Sequence, residues 1–516
     1  MYPGTHAQTT PAKPAVVMAA SGRTLTYAEL DDQSRRLAVG LHDLGLRRGD
    51  VVAMLSDNAP ECFVLYWAAL RSGLYLTAVN HHLTASEAAY IVRDSGAKVL
   101  FASGRLEEQA SDALAECPGL ETAFSFDGPI PGYGVYETFL ESAEDRMPAE
   151  QPRGSDMLYS SGTTGRPKGI KPPLLPIAVD EPGDPLTALA GTYLGVGPDD
   201  VYLSPAPIYH AAPLRWCGVV HAYGGTVVVL EKFSAEGALE ALQNHRVTVV
   251  QMVPTMFVRM LQLDSALRTK YDLSSLRLAI HAAAPCPVEV KRAMLDWWGP
   301  KLVEYYSSTE MSGMTVITTP EWLKKPGSVG RSVFGPIHIC DERGEELCVG
   351  EVGRVYFERD VRPFEYHNEP EKTKAAEHPD HANWTAIGDL GYVDDDGYLF
   401  LTDRESFMII SGGVNIYPQE VENALALHPA VYDIGVVGIP DPVMGQQVKA
   451  FVALRPGITP SDALAEELIA YARTKVAAYK APRSVEFIDE LPRTPTGKLV
   501  KSALTARTSG GATGGH

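Results

Sequence analysis

Apolar residues recur along this chain with two alternating periods. Leu30, Leu37, Leu41 and Leu44 fall at helical spacing behind Thr26 and Glu29, a pair spaced as a capping box. After Gly49-Asp50, the short run Val51-Val-Ala-Met-Leu55 is uniformly apolar, the mark of a buried strand. The pattern predicts a second apolar helix from about Pro60 to Arg71, stopped by Gly73, and a strand over Leu74 to Val79. Thr84 with Glu87 caps a third helix, and Lys98 to Phe101 reads as a third strand. Strands apolar on both faces, alternating with helices, predict a largely parallel sheet covered on both sides.

The same rhythm resumes further on. Strands are predicted at Thr226 to Leu230, Val247 to Gln251 and Leu276 to Ile280, with a helix over Ala235 to His245. From Gly327 to Phe357 the chain turns Gly- and Val-rich in short runs, which predicts a small antiparallel unit. A boundary falls near Asp403 to Ser406. Beyond it, helices over Pro418 to Leu427 and Ala463 to Val476 flank strands at Val431 to Gly438 and Val448 to Leu454. The expected architecture is α/β. A large N-terminal domain (1–404) has mainly parallel sheets flanked by helices plus the antiparallel unit. A smaller, mobile α+β domain (405–507) follows, and then a disordered tail (508–516).

Composition narrows the partners. The chain has 516 residues, 45% of them hydrophobic and 21% charged, as in an ordinary globular protein with more than one core. Its net charge of -19 repels nucleic acid and anionic membranes, so neither is expected as a partner. A polyanionic ligand would need cations and backbone N–H groups gathered locally against that field. The six cysteines are scattered, with no CxxC pair and no zinc spacing, and read as mostly buried, reduced thiols in a cytoplasmic protein. No apolar stretch approaches the roughly 20 residues that span a bilayer. The polar, Pro/Thr-rich start lacks the apolar core of a signal peptide.

The chemistry concentrates in a few patches. Tyr159-Ser160-Ser161-Gly162-Thr163-Thr164-Gly165-Arg166-Pro167-Lys168 combines hydroxyls, glycines and two cations. Such a loop can approach and hold a polyphosphate, although its spacing is not that of a Walker loop. By itself a Ser/Thr/Gly run is commonly a linker. Here it is followed, in order, by Pro207-Ile-Tyr-His210, Tyr305-Tyr-Ser-Ser-Thr-Glu310, Gly388-Asp389, Asp403-Arg404, Ser411-Gly-Gly-Val-Asn-Ile-Tyr-Pro418 and Pro492-Arg-Thr-Pro-Thr-Gly-Lys498.

In order and spacing these patches resemble the ANL superfamily of acyl-CoA synthetases, adenylation domains and luciferases, from about residue 20 to 502. They are most similar to the patches of bacterial fatty-acyl-CoA ligases. The resemblance implies a two-step reaction. A carboxylate attacks the α-phosphorus of ATP, and a nucleophile, commonly the thiol of CoA, then takes the acyl group from AMP. It implies that Ser160 to Gly165 and Lys168 hold the phosphates and that Glu310 holds Mg²⁺. Thr309 contacts the α-phosphate, and Asp389 and Arg404 hold the ribose. Ala283, Ala284 and Pro285, with Tyr305 and Tyr306, border the adenine, and Ser307 belongs to the same nucleotide site.

Lys498 matches the catalytic lysine, a cation that offsets repulsion between the substrate carboxylate and the α-phosphate. His210, Trp216 and Ala282 line the acyl pocket. Ser411, Gly412 and Gly413 border the acceptor channel, and Ser406 is the hinge about which the small domain rotates. Ser406 stands where Asp or Lys is usual and Phe407 where Asp is frequent. Ile410 replaces a common Lys, and Ser307 a usual Gly.

The same motifs also serve stand-alone adenylating enzymes that pass the acyl group to an amine or to a carrier protein. A non-catalytic relic that senses acyl ligands is a third alternative, disfavoured by the intact Glu310, Asp389, Arg404 and Lys498. The expected partners are therefore a small carboxylic acid with CoA or an amine.

Overall fold

The computed structural model describes residues 1–120, 122–160, 167–182, 185–493 and 499–509. Two large sheets form its body. In the first, nine strands run in the order Arg331–Ser332, Met314–Thr318, Leu302–Ser307, Leu278–His281, Val249–Met252, Val201–Ser204, Thr226–Val229, Pro14–Met18 and Thr24–Thr26. The inner pairings are parallel and the two edges antiparallel. The second sheet is parallel throughout, with Val51–Leu55 at its centre between Ala97–Ser103 and Tyr75–Val79. Every residue of Val51–Leu55 and Tyr75–Val79 is buried, as a sheet covered on both faces requires.

Helices fill the space between the two sheets. Helix Glu61–Leu70 is buried at every position after Glu61, which suits an element apolar all round. The largest apolar cluster joins Val16 and Val227 of the first sheet to Val52 and Leu76 of the second through Phe63 and Trp216. Both sequence-predicted capping boxes form, Thr26 with Glu29 at helix Tyr27–Asp43 and Thr84 with Glu87 at helix Ala85–Asp94. No helix among the described residues is long and apolar enough to cross a membrane.

Two smaller antiparallel sheets and a terminal unit complete the chain. The unit predicted over Gly327 to Phe357 begins with Ile337–Cys340 paired to Gly353–Glu358. It then recruits Trp384–Thr385, Asp389–Val393 and Leu399–Arg404 from further along the sequence. Arg331–Ser332 instead closes the edge of the nine-stranded sheet. A three-stranded sheet joins Leu158–Ser160, Lys168–Lys171 and Glu365–Tyr366.

After the short turn Glu405–Phe407 comes a five-stranded sheet built on the long hairpin Val431–Asp441 and Gly445–Leu454. Helices Pro418–Leu425 and Asp462–Lys475 cover it through Val421, Leu425, Leu468 and Ala472. The first residues, read as a polar arm, include a helix over Pro3–Thr9 started by its proline. The last helix spans Lys501–Ser509, so Thr508 and Ser509 of the expected tail are helical.

Candidate active site

The strands deliver their side chains to one region through the alternation of the pleat. On Leu302–Ser307, consecutive tyrosines leave on opposite faces. The Tyr305 hydroxyl accepts from Trp216 Nε1 at 3.3 Å. The Tyr306 hydroxyl donates to Asp389 Oδ2 at 2.6 Å. Asp389 and Arg404 face each other on paired strands, with Arg404 Nε 3.1 Å from Asp389 Oδ1. Burial opposes the Arg404 charge, but Asp389 and Glu310 more than offset it and raise its pKa. Burial, reinforced by Asp389, raises the Tyr306 phenol well above its ordinary value, so it remains a donor. The Tyr305 phenol is pushed up to about 12, chiefly by burial.

Thr309 and Glu310 sit in the turn beyond that strand. The Thr309 carbonyl accepts from both terminal nitrogens of Arg215 at 3.2 Å. Arg215 in turn grips both oxygens of Asp156, at 2.7 Å for the closest contact. Glu310 Oε1 accepts the Tyr366 hydroxyl at 2.9 Å. Ser307 Oγ donates to the Gly313 carbonyl at 2.7 Å and closes the turn. Inside it, Met311 holds φ at +54°, and Ala283 holds +72° in the loop after Leu278–His281. Such conformations cost a non-glycine residue about 1–3 kcal/mol and cluster where loops serve a ligand. The buried hydroxyls of Ser308, Ser312 and Thr385 have no partner among the described residues and line one small cavity with Tyr306 and Ile387.

The Gly-rich segment is held at its two flanks. Ser160 and Lys168 stand opposite each other on antiparallel strands. Tyr159 donates to Asp94 Oδ2 at 2.6 Å. Lys168 Nζ lies 5.0 Å from the centre of the Tyr366 ring, so one tyrosine touches both the Lys168 flank and Glu310. Ser161, Gly162, Thr163, Thr164 and Gly165, expected to hold phosphates, lie outside the described residues, as does Lys498. On the described residues either side of 494–498, Arg493 bridges Leu499 and grips Asp433 at 2.6 Å.

The other expected residues distribute as follows. Ala282 is buried, while Ala283 and Pro285 are exposed beside half-buried Ala284. Behind them, the buried pair Lys291–Glu304 (2.6 Å) and His281 support the loop. Trp216 is 1% exposed and stacks on Tyr202. His210 stands just before helix Ala211–Tyr223, its ring 4.3 Å from that of Tyr209. Burial, with His81 and His82 adding, pushes His210 down to about 3, so its imidazole is neutral, and its buried Nε2 has no partner among the described residues. Ser411 ends strand Ile409–Ser411, and Gly412 and Gly413 make a tight turn with φ of +59° and +78°. A Cβ on Gly412 would meet the Met444 methyl at 2.3 Å. Ser406 lies in the turn Glu405–Phe407, whose Glu405 is tied to Arg354 at 2.9 Å.

Three residues near this region escaped the sequence reading. Tyr366 carries no local signal, because its meaning comes from pairing with a strand almost 200 positions earlier. Arg215 and Asp156 did leave one: a lone arginine inside the apolar helix Ala-Ala-Pro-Leu-Arg-Trp-Cys-Gly-Val-Val demands a buried carboxylate.

Among known proteins, the family model for the AMP-binding enzyme matches residues 4–360, and that for the AMP-binding enzyme C-terminal domain matches 420–498. The chain is 35% identical over 497 residues to a feruloyl-CoA synthase of Amycolatopsis sp, covering 94% of each. It is 32% identical over 513 residues to the fatty acid–[acyl-carrier-protein] ligase ScoC of Streptomyces coeruleorubidus, covering 97% of this chain and 95% of that one. Its structure superposes on that of the amide bond synthetase McbA from Marinactinospora thermotolerans with a TM-score of 0.82. Sequence identity there is 26%, over 98% of this chain and 99% of that one.

Proposed function

This chain belongs to the AMP-binding enzyme family of the ANL superfamily, and from that premise we propose the following reaction. The enzyme activates a carboxylic acid as its acyl-adenylate and then passes the acyl group to the thiol of CoA. One observation carries the reading: two runs of contacts, Tyr306–Asp389–Arg404 and Glu310–Tyr366–Lys168, lie close enough that the Glu310 charge acts on Arg404. The first run holds the expected ribose carboxylate, and the second brings the expected metal carboxylate to the Lys168 flank of the Gly-rich segment.

In the first step, a carboxylate oxygen of the acid bonds to the α-phosphorus while the bond to the bridging oxygen of pyrophosphate breaks. Two anions must meet, so cations and positioning dominate over proton transfer. Asp389 accepts the ribose hydroxyls, and Arg404 neutralises that carboxylate from the neighbouring strand. Lys168, the hydroxyls of Ser160 to Thr164 and the amides of Gly162 and Gly165 hold the phosphates. Thr309 contacts the α-phosphate, with its backbone fixed by Arg215. Lys498 bridges the acid and the α-phosphate.

Glu310 would hold Mg²⁺. No group of three or more His, Cys, Asp or Glu suited to a metal occurs among the described residues. That donor set suits an ion bound by one carboxylate, water and substrate phosphates. When bound, the ion would neutralise charge on the leaving pyrophosphate.

In the second step, the thiol sulfur attacks the acyl carbonyl, the proton leaves to solvent and AMP departs. The Gly412-Gly413 turn presents bare backbone to the acceptor's approach. His210, Trp216 and Ala282 line the acyl side, where a neutral His210 adds no charge. A cytoplasmic setting fits this reading, since all six cysteines are free thiols and ATP and CoA are the co-substrates. Transfer to an amine is the second reading, favoured by the likeness to McbA.

The test is a panel of carboxylic acids screened for ATP-dependent pyrophosphate release, the active ones then offered CoA, simple amines and a carrier protein separately. Thioester with CoA is the expected product. Amide without thioester would establish the second reading, and silence across the panel would overturn both.

A further inference from the structure

Beneath the loop expected to border the adenine, His281, Lys291 and Glu304 meet in the interior, and the chemistry above uses none of them. The loop, residues 282–287, joins strand Leu278–His281 to helix Val288–Trp298. His281 ends the strand and Lys291 lies early in the helix. Both are 0% exposed, and Glu304, on the neighbouring strand Leu302–Ser307, is 5% exposed. Glu304 stands opposite His281 on the paired strands. Its Oε2 accepts from Lys291 Nζ at 2.6 Å and lies 3.6 Å from His281 Nε2. The Lys291 ammonium also lies 4.9 Å from the centre of the buried Trp322 ring. One carboxylate oxygen therefore faces a side chain from each end of the loop.

Between those ends the loop has few bonds of its own. Among the described residues, Ala283, Ala284 and Cys286 make no backbone–backbone hydrogen bond. Ala283 is exposed at φ +72°, a conformation that a non-glycine residue keeps only where its surroundings impose it. Cys286 packs onto the apolar cluster that includes Val290 and Met294, on the same helix as Lys291. The amide and carbonyl groups left over on the exposed side are of the kind that read a purine edge, where adenine and guanine present different donors and acceptors. Glu304 also leaves its strand on the same face as Tyr306, whose hydroxyl holds Asp389.

Stability does not account for this cluster. Neither ring nitrogen of His281 has a hydrogen-bond partner among the described residues, and apolar side chains of similar volume commonly match a buried ion pair in stability. What apolar side chains do not supply is direction. A charge-assisted hydrogen bond fixes one distance between strand and helix, and with it the span that the loop must bridge.

We propose that Glu304 is a positioning residue for the purine base. By gripping Lys291 and facing His281, it sets the spacing of the two ends of the 282–287 loop, so that the loop backbone meets adenine in preference to guanine. This rests on the nucleotide site of the reading above, so its first readout is nucleotide binding to the free protein with no acid present.

The test replaces the pair by apolar side chains, Lys291→Met together with Glu304→Leu. The urea midpoint should stay near that of the parent chain, which establishes that the fold is kept. Titration calorimetry should then give a Kd for AMP raised at least about fivefold and a Kd for GMP within about twofold, so the preference for AMP narrows at least about twofold. In ATP–pyrophosphate exchange, KM for ATP should rise at least about fivefold with kcat within about twofold. Where the double variant does not fold, Lys291→Met alone takes its place. Burial raises the Glu304 pKa, so its carboxyl can take up a proton once the ammonium is gone, and both titrations should move in the same direction. Unchanged AMP affinity in the folded variant would overturn the proposal. Equal weakening of AMP and GMP would do so too, as the mark of a general loosening, and so would a parent chain with no preference for AMP over GMP. A parent that binds AMP but stays silent toward every acid would instead sink the two-step reading and leave the titrations to decide this one.

Discussion

Both oxygens of the Asp389 carboxylate are engaged before any ligand arrives, Oδ2 by the Tyr306 hydroxyl and Oδ1 by Arg404. A carboxylate has about four acceptor positions, so ribose hydroxyls can join without displacing either neighbour. The two neighbours then do different work. Arg404 pairs with the carboxylate and orients it, and Tyr306 fixes its rotation. Asp389→Asn removes a charged acceptor and puts a donor where Arg404 also donates. It should raise KM for ATP at least about tenfold, since hydrogen bonds to charged groups contribute roughly 1.5–3 kcal/mol. Tyr306→Phe removes only a neutral donor and should raise it about threefold to fivefold, in line with a net loss near 1 kcal/mol. Pyrophosphate exchange across an ATP series checks both. Equal effects of the two changes would mean that Asp389 acts only through Tyr306.

At the scale of elements, a largely buried ion pair helps tie the two sheets together. Arg215, from the helix between the sheets, holds Asp156 on the second sheet and the Thr309 carbonyl beyond the first. Removing one partner strands the other charge. Arg215→Met should therefore cost about 3 kcal/mol or more in urea unfolding, whereas adding Asp156→Leu should restore most of it. If the double variant is as unstable as the single one, the pair is not the tie. The elements themselves were legible in the sequence because their signals are local. Thr26 with Glu29 and Thr84 with Glu87 announce helices, and Val51–Leu55 announces a strand buried on both faces. Short motifs also singled out Asp389 and Arg404, which the structure pairs at 3.1 Å. Tyr366 and the Arg215–Asp156 tie were not, because each is defined by a contact between segments far apart in the chain. The antiparallel unit expected to end near Phe357 was extended by Asp389–Val393 and Leu399–Arg404 for the same reason: strand pairing is non-local, and no residue in a strand states its partner.

At the scale of the whole molecule, two features set the response to chemistry and to pH. The first is the division of labour proposed for the two domains. If Lys498 serves adenylation alone, Lys498→Ala should abolish pyrophosphate exchange while thioester formation from supplied adenylate continues within about threefold. Near-parent exchange would remove the lysine from the mechanism. The second is the set of imidazoles buried as neutral groups in the large domain. His221 is fully buried, accepts from Trp67 Nε1 at 3.1 Å and has Nε2 3.1 Å from the Ala15 carbonyl. Burial pushes its pKa down to about 4. His281, also fully buried, is pushed well below its ordinary value by burial and then by the charge of Lys291. In the unfolded chain both would bind a proton near pH 6.5, so below that pH the unfolded state holds more protons than the folded one. Stability is therefore fully present above about pH 6.5 and falls as the pH drops toward the folded pKa, by a slope approaching about 1.4 kcal/mol per pH unit for each imidazole. Urea midpoints measured at pH 7.5, 6 and 5 should fall steadily. In His221→Gln, whose amide can both accept from Trp67 and donate to Ala15, the slope should be shallower by one imidazole's share. An unchanged slope in that variant would place the acid sensitivity in other groups.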